Sequence, residues 1–171
     1  TTSGSLCPAG QAGVNNFFPA MGNHDYSDAT PGPDTYLEYF NLPGAGFTSS
    51  SGNERYYDFV RGPVHFFVLN SNYQEPDGVD SASVQAAWLQ SQLVASASPW
   101  KLVVFHHPPY SSSSHGNSAV MQWPFAAWGA TAVLNGHDHT YERIMHDSIP
   151  YFVNGLGGAA RYAFGDPVEG S

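Results

Sequence analysis

Residues Ala132-Val133-Leu134-Asn135-Gly136-His137-Asp138-His139 carry an apolar segment directly into a turn that holds two histidines. An apolar run closed by Asn-Gly is typical of a buried strand. In an extended chain that leaves a strand, residues at i and i+2 project to one side, about 7 Å apart. That spacing of His137 and His139 suits the ligation of two neighbouring metal ions or the flanking of one. The segment therefore predicts a metal site at the end of a strand.

A second histidine motif also follows an apolar run. Leu102-Val103-Val104-Phe105 leads into His106 and His107, and Pro108-Pro109 ends the strand because proline has no N–H for the ladder. Adjacent residues of a strand point to opposite faces. We therefore expect only one of the two imidazoles to reach a shared cleft.

A third motif is Gly22-Asn23-His24-Asp25, directly after an apolar stretch. Gly22 permits a tight turn, and the side-chain oxygen of Asn23 can serve as a neutral metal ligand. A carboxylate beside an imidazole can orient it and keep it basic, as in metal and acid/base sites. A plain polar turn is the alternative, since Asn, His and Asp are all common in turns.

The pattern between these motifs predicts a mixed α/β sheet with helices on its faces. Strands are predicted at Tyr56–Val60, Val64–Asn70, Leu102–His106, Thr131–Asn135 and Tyr151–Asn154, and helices at Asp34–Phe40, Ser81–Ser96 and Ser118–Trp128. Ser111–Ser114 is predicted to be a flexible loop at the site. In such folds, sites form beyond the carboxyl ends of the strands, where all three histidine motifs lie.

The amino-acid composition argues against several classes of function. The 171 residues fit one domain, and the net charge of −9 argues against nucleic-acid binding through a basic face. No run approaches 18 apolar residues, so no membrane span is predicted. The single cysteine, Cys7, excludes a cysteine zinc cluster. Little Lys with much Ser, Gly and Tyr favours a secreted or periplasmic location. The oligomeric state is not indicated.

The three motifs together supply imidazole and amide ligands without a thiolate. Such donors fit Zn, Mn, Fe or Ni. A chain with a charge of −9 that handles a phosphate ester also needs strong local positive charge, which bound cations provide.

Taken in order, GNHD, HHPP and GHDH followed by TYER resemble the later motifs of the calcineurin-like metallophosphoesterase superfamily. The string GHxHxYER is particularly similar to the purple acid phosphatase branch, and the resemblance covers most of residues 15–160. It implies a metallophosphoesterase-type β-sandwich flanked by helices. It also implies hydrolysis of phosphoric esters by two divalent or trivalent metal ions (Fe, Zn or Mn).

The resemblance also implies roles for individual residues. Asn23, His107 and His137 match ligands of the second metal, and His139 matches a ligand of the first. His24 matches the histidine that contacts the phosphoryl group or the leaving oxygen, and Asp25 would orient it. The match of His115 to a histidine above the metals is looser, and this residue would protonate the leaving group.

One departure from the family pattern concerns the first metal. The Asp motifs D-x-H and G-D do not occur before Asn23, so residues 1–171 are expected to be a single, truncated catalytic domain. At most one metal should be held firmly, and the isolated chain should be weakly active or inactive, unless Asp28, Asp34 or Asp138 replaces the absent aspartates. A catalytically impaired metal- or phosphate-binding remnant is the alternative function. A dinuclear aminopeptidase is disfavoured because H-E-x-x-H is absent.

Overall fold

The computed structural model describes residues 14–26 and 32–171, which are organised around a six-stranded mixed sheet. The strands are β1 (Tyr57–Arg61), β2 (Val64–Val68), β3 (Trp100–Phe105), β4 (Ala132–Asn135), β5 (Tyr141–His146) and β6 (Ile149–Asn154). Their order across the sheet is β1-β2-β3-β4-β6-β5. The predicted mixed α/β class is confirmed. The described residues form one sheet, so the second sheet of the implied sandwich is not found among them.

The direction of the strands decides where the site can form. Strands β2, β3, β4 and β6 are parallel to their neighbours, whereas β1 and β5 pair antiparallel at the two edges. The carboxyl ends of the four parallel strands therefore meet at one edge of the sheet. Histidine motifs follow two of these ends, at β3 and β4, as the sequence predicted. The third motif, Gly22–Asp25, follows a segment without strand structure, so its predicted place at a strand end is wrong.

The helices are α1 (Asp34–Tyr39), α2 (Val84–Ala95) and α3 (Phe125–Trp128), with single 3-10 turns at Asn23–Asp25 and Ala119–Met121. Helix α2 begins after Ser83, whose hydroxyl accepts a hydrogen bond from the amide of Ala86 and so caps the helix. The continuous helix predicted over Ser118–Trp128 is wrong. It divides at Pro124, which cannot continue a helix from the preceding turn. No helix of the described residues has the length and apolarity that a membrane crossing requires.

Strand β5 was not predicted from the sequence. Its inward positions include Glu142, which is 4% exposed, so a buried charge interrupts the apolar alternation that marks a strand. The carboxylate of Glu142 accepts hydrogen bonds from the amide and the hydroxyl of Ser112. Asp147 and Ser148 join β5 to β6 with φ values of 48° and 66°, which is the left-handed geometry of a tight hairpin turn.

Apolar side chains pack on both faces of the sheet. On one face, Leu89 and Leu93 of α2 and Phe125 of α3 are fully buried against strand residues such as Phe67. On the opposite face, the neighbouring residue Val68 packs in a second cluster with Met21, Tyr36, Leu42, Tyr57 and Phe59. The alternation of strand side chains thus serves two cores. The second core fixes the apolar segment that leads into Asn23.

A buried ion pair lies beside this second core. Arg55 donates to both carboxylate oxygens of Glu75, at 2.9 and 3.2 Å, and to Asp77 at 2.7 Å. The side chain of Glu75 is completely buried, and that of Arg55 is 23% exposed. Glu75 also accepts from the side chain of Asn70 at 2.7 Å. The ion pair with Arg55 permits the carboxylate of Glu75 to be buried.

We predict that Arg55→Ala destabilises the fold by about 3 kcal/mol, because it leaves the buried carboxylate of Glu75 without its cation. Urea unfolding of the purified variant measures the loss. Arg61→Ala is the matched control, since Arg61 lies on the surface and its bond to Asn16 is exposed. Equal stability of the two variants would contradict the prediction.

Candidate functional site

Three imidazoles meet at the carboxyl ends of β3 and β4. One potential ligand nitrogen from each of His106, His107 and His137 lies within 4.8 Å of the other two. The ring centroids are 4.9, 4.8 and 4.6 Å apart for the three pairs. We call these three residues the histidine cluster. Among the described residues it is the one group of histidines, cysteines and carboxylates close enough to hold a metal ion.

Both histidines of the HHPP motif belong to the histidine cluster, so the expectation that only one reaches the cleft is wrong. Strand β3 ends at Phe105, and His106 and His107 lie beyond its pleated part. The alternation of strand side chains does not apply there, and the two rings stand at 87° to each other. The strand thus ends one residue earlier than predicted.

The side chain of Asn23 completes the arrangement from the opposite direction. Its Oδ1 lies 2.8 Å from Nε2 of His106, which in turn lies 3.0 Å from Nδ1 of His137. Ligand atoms about 2.1 Å from one metal ion are about 3.0 Å apart at the 90° angle of octahedral coordination and about 3.4 Å apart at the tetrahedral angle. Imidazole and amide donors at these separations fit a divalent cation of the Zn, Mn or Fe type.

The ring of His106 occupies a narrow space between backbones. A Cβ added to Gly22 would come within 2.9 Å of this ring, and one added to Gly136 within 3.7 Å. The backbone of Gly22 has φ −112°, which any residue adopts. Gly22 is therefore required for the close approach of the imidazole rather than for the tight turn that the sequence suggested.

Burial keeps the histidine cluster uncharged. It lowers the pKa of His106 to about 3, and the neighbouring imidazoles of His107 and His137 add to this effect. Burial likewise lowers the pKa of His137 to about 4 and that of His107 below its usual range. A metal ligand must be a neutral imidazole, so all three residues are in the binding form at neutral pH.

The GHDH segment is turned rather than extended. His137 has φ 64°, a left-handed conformation that is uncommon outside glycine. The i, i+2 argument therefore fails, and His139 does not join the histidine cluster. Its Nδ1 lies 2.9 Å from the carbonyl oxygen of Ala160, and its ring stacks on Tyr162 with centroids 4.2 Å apart.

A series of stacked rings nevertheless connects His139 to the histidine cluster. The exposed ring of His115 stacks on His137 at 4.1 Å and contacts Tyr162 at 5.3 Å. His115 thus lies beside the histidine cluster, although the Ser-rich context made its match loose. Tyr162 was not considered from the sequence, because nothing local distinguishes it from a structural tyrosine.

His24 and Asp25 lie on the 3-10 turn that begins with Asn23. The side chain of His24 is exposed, and its charge is among the causes that lower the pKa of His106. The carboxylate of Asp25 accepts a hydrogen bond of 2.7 Å from the amide of Gly22. Among the described residues it has no hydrogen bond to His24, so in this geometry Asp25 closes the turn.

Of the acidic residues that could have replaced the absent aspartates, the two that the structure describes are not at the histidine cluster. Asp138 is fully buried and accepts from the hydroxyl of Ser111 at 2.5 Å and from the amide of His115 at 3.0 Å. Asp34 is exposed at the start of α1, and Asp28 lies outside the described residues. The serine segment Ser111–Ser114 lies outside the helices and strands as predicted, but Ser111 and Ser112 are buried and hydrogen-bonded to acidic side chains.

A cavity of about 350 Å³ opens beside His106. Its lining includes Asn135, whose Nδ2 donates to the carbonyl of Phe105. The Oδ1 of Asn135 is buried without a hydrogen-bond partner among the described residues.

The chain also resembles known proteins in sequence and in fold. The family model for calcineurin-like phosphoesterase matches residues 3–141. The chain belongs to the calcineurin-like phosphoesterase family. Its similarity lies with the purple acid phosphatase branch. It is 31% identical to human tartrate-resistant acid phosphatase type 5 over 94 residues, which are 52% of this chain and 29% of that protein.

The chain is also 30% identical to purple acid phosphatase 18 of Arabidopsis thaliana over 142 residues, 77% of this chain and 32% of that protein. The chain thus spans about a third or less of the curated relatives named here. A solved structure described as GAP50, the anchor in the inner membrane complex of Plasmodium, shares the fold with a TM-score of 0.61 at 19% identity. That match covers 88% of this chain and 53% of the other.

We predict that Gly22→Ala displaces the ring of His106 and breaks its contact with Asn23, because the added methyl group would lie 2.9 Å from the imidazole. The NMR signals of the His106 ring should shift, and stability should fall by about 1–3 kcal/mol, as for other overpacked sites. Gly157→Ala is the control, since nothing lies within 4 Å of its added Cβ. Unchanged His106 signals would contradict the prediction.

We also predict that the metal-free chain loses stability as the pH falls from 6.5 toward 3. Over this range His106 becomes protonated in the unfolded chain, where its pKa is the ordinary 6.5. In the folded chain it stays neutral until about pH 3, because burial lowers its pKa. One such group changes the free energy of unfolding by at most about 1.4 kcal/mol per pH unit. In urea unfolding between pH 6.5 and 5, His106→Asn should show a smaller slope of stability against pH. Identical slopes for the wild-type chain and His106→Asn would show that the pKa of His106 is not lowered by folding.

Proposed function

We propose that the protein of which this chain is part hydrolyses phosphate esters at a metal centre built on the histidine cluster and Asn23. The observation that carries the proposal is the convergence of three uncharged imidazoles and an amide oxygen at the carboxyl ends of β3 and β4. Family membership and similarity to acid phosphatases support the same reaction class.

Asn23, His106, His107 and His137 would hold one ion, and His139 would contribute to a second. Bound metal ions supply hydroxide at neutral pH and positive charge for the phosphoryl group. The chain has a net charge of −9, so this positive charge is needed before an anionic ester can approach. The neutral state of the histidine cluster keeps its lone pairs available for the ions.

The exposed imidazoles around the histidine cluster would act on the substrate. His24 lies at the turn that presents Asn23, in a position to donate a hydrogen bond to a phosphoryl or leaving-group oxygen. His115 is exposed and stacked on His137, so it can deliver a proton to the leaving oxygen. Asp25 keeps the turn closed through Gly22 and would act on His24 only through that turn.

A dinuclear centre needs more acidic ligands than the described residues supply. The histidine cluster contains no carboxylate, and the buried Asp138 is engaged by Ser111 and His115. An aspartate bridge would reduce the repulsion between two cations. We therefore expect this chain by itself to hold one ion firmly and to be a weak catalyst.

The second candidate function is a metal- or phosphate-binding remnant without turnover, which the absence of a carboxylate from the histidine cluster favours. It predicts the same metal affinity and no hydrolysis. A secreted or periplasmic location rests on composition alone and is part of the proposal.

We predict that His106→Ala and His107→Ala each lower the affinity for Zn²⁺ by about 100-fold or more, since loss of an outer partner alone costs about 10–100-fold. Isothermal titration with Zn²⁺ measures the change. His146→Ala is the control, because His146 packs on Tyr110 away from the histidine cluster. Metal loss in only one of the two variants would show that the other ring is merely packed there.

Hydrolysis of p-nitrophenyl phosphate by the metal-loaded chain separates the two candidate functions. Slow turnover that requires both the metal and His24 supports the phosphoesterase, whereas tight metal binding without turnover supports the remnant. A chain that binds no Zn²⁺, Mn²⁺ or Fe would refute both.

A further inference from the structure

The turn that follows β2 is buried although it is polar. Asn70, Ser71 and Asn72 are 0%, 5% and 3% exposed. β2 is one of the parallel strands, so this turn reaches the same edge of the sheet as the histidine cluster. No catalytic or metal-binding role was assigned to these residues from the sequence. Buried polar side chains need partners. Ser71 finds its partner in His107 of the HHPP motif, and Asn70 bonds Tyr26, the residue that follows the GNHD motif.

Ser71 makes two contacts with one residue of the histidine cluster. Its Oγ accepts a hydrogen bond of 3.0 Å from the backbone amide of His107 and lies 2.9 Å from Nδ1 of the same residue. The first contact fixes the backbone, and the second fixes the rotation of the ring. With Nδ1 engaged by Ser71, the nitrogen left for a metal is Nε2.

The position of the ring proton then decides whether His107 can be a ligand. A neutral imidazole carries one proton, and the nitrogen opposite to it holds the free lone pair. If Nδ1 bears the proton and donates to Ser71, Nε2 can bind a metal. If the Ser71 hydroxyl donates to Nδ1, Nε2 bears the proton and cannot bind.

We propose that Ser71 is a positioning residue that accepts the Nδ1–H of His107 and thereby directs the Nε2 lone pair of His107 to the metal. This inference rests on the metal centre proposed above. The hydroxyl oxygen has two lone pairs, so it can accept from the amide and from Nδ1 at the same time. Partners of this kind orient metal-binding histidines and set their tautomer.

The neighbours of Ser71 hold it in place. The side chain of Asn70 donates to Glu75 and to the hydroxyl of Tyr26, and its backbone amide donates to Gln85 at 2.8 Å. Tyr26 ends the turn of Asn23, because its amide donates to the carbonyl of Asn23 at 3.3 Å. The same short turn therefore contacts the HHPP motif and the residue that follows the GNHD motif, and Glu75, the partner of Arg55, anchors it.

The test is NMR of the full chain with ¹⁵N-labelled histidine, without metal and with Zn²⁺. We expect a protonated Nδ1 on His107 in the metal-free chain, with Nε2 changing its shift when Zn²⁺ is added. A proton on Nε2 of His107 in both states would overturn the proposal. This measurement needs no catalytic turnover and no substitution.

Variants test the consequence for the metal. Ser71→Ala should weaken Zn²⁺ binding by about 10–100-fold, the usual effect of losing such a partner, and Ser71→Thr should restore it. Ser91→Ala on the exposed side of α2 is the control. Unchanged affinity in a folded Ser71→Ala chain would overturn the role of Ser71. Failure of the wild-type chain to bind Zn²⁺ would instead refute the metal centre, while the proton on Nδ1 would still be decided by the metal-free spectrum.

Discussion

The site depends on the burial of one uncharged imidazole between two backbones. His106 lies against Gly22 on one side and Gly136 on the other, and its Nε2 contacts Asn23 and His137 at once. This single ring connects three chain segments that are far apart in sequence. Its burial also removes the positive charge that would otherwise repel a cation, so the same packing that fixes the geometry prepares the chemistry.

The sheet makes this packing possible. Parallel strands must be connected by long crossovers, and their carboxyl ends then lie side by side at one edge. β3 and β4 each deliver a histidine motif there, while β2 delivers the polar turn of Asn70 and Ser71. The ends of the strands are stiff, which suits a set of ligands that must converge without rearrangement.

Polar burial around the histidine cluster follows a common rule. Every acidic side chain that is fully buried near the site has a specific donor: Glu75 has Arg55, Asp138 has Ser111, and Glu142 has Ser112. These carboxylates fix loops and do not face the three imidazoles. These buried carboxylates therefore have structural roles. Among the described residues, the histidine cluster consists of neutral ligands.

The sequence by itself determined the strands β1, β2, β3, β4 and β6 within a few residues, the capped helix α2 and the identity of the three histidine motifs. These features depend on local patterns: apolar runs, prolines and turn residues. The motif order also sufficed to place the chain in its family. Strand β5 has no alternating apolar pattern, because buried Glu142 interrupts it. The pattern of the third helix continues past Pro124, whereas the structure divides there.

Only the tertiary structure decided which imidazoles meet. The inclusion of His106 depends on the exact end of β3, and the exclusion of His139 depends on the left-handed backbone of His137. The contact of Ser71 with His107 joins residues 36 positions apart. No local pattern encodes such contacts, because the direction of a side chain beyond a strand end is set by packing against segments that are distant in sequence.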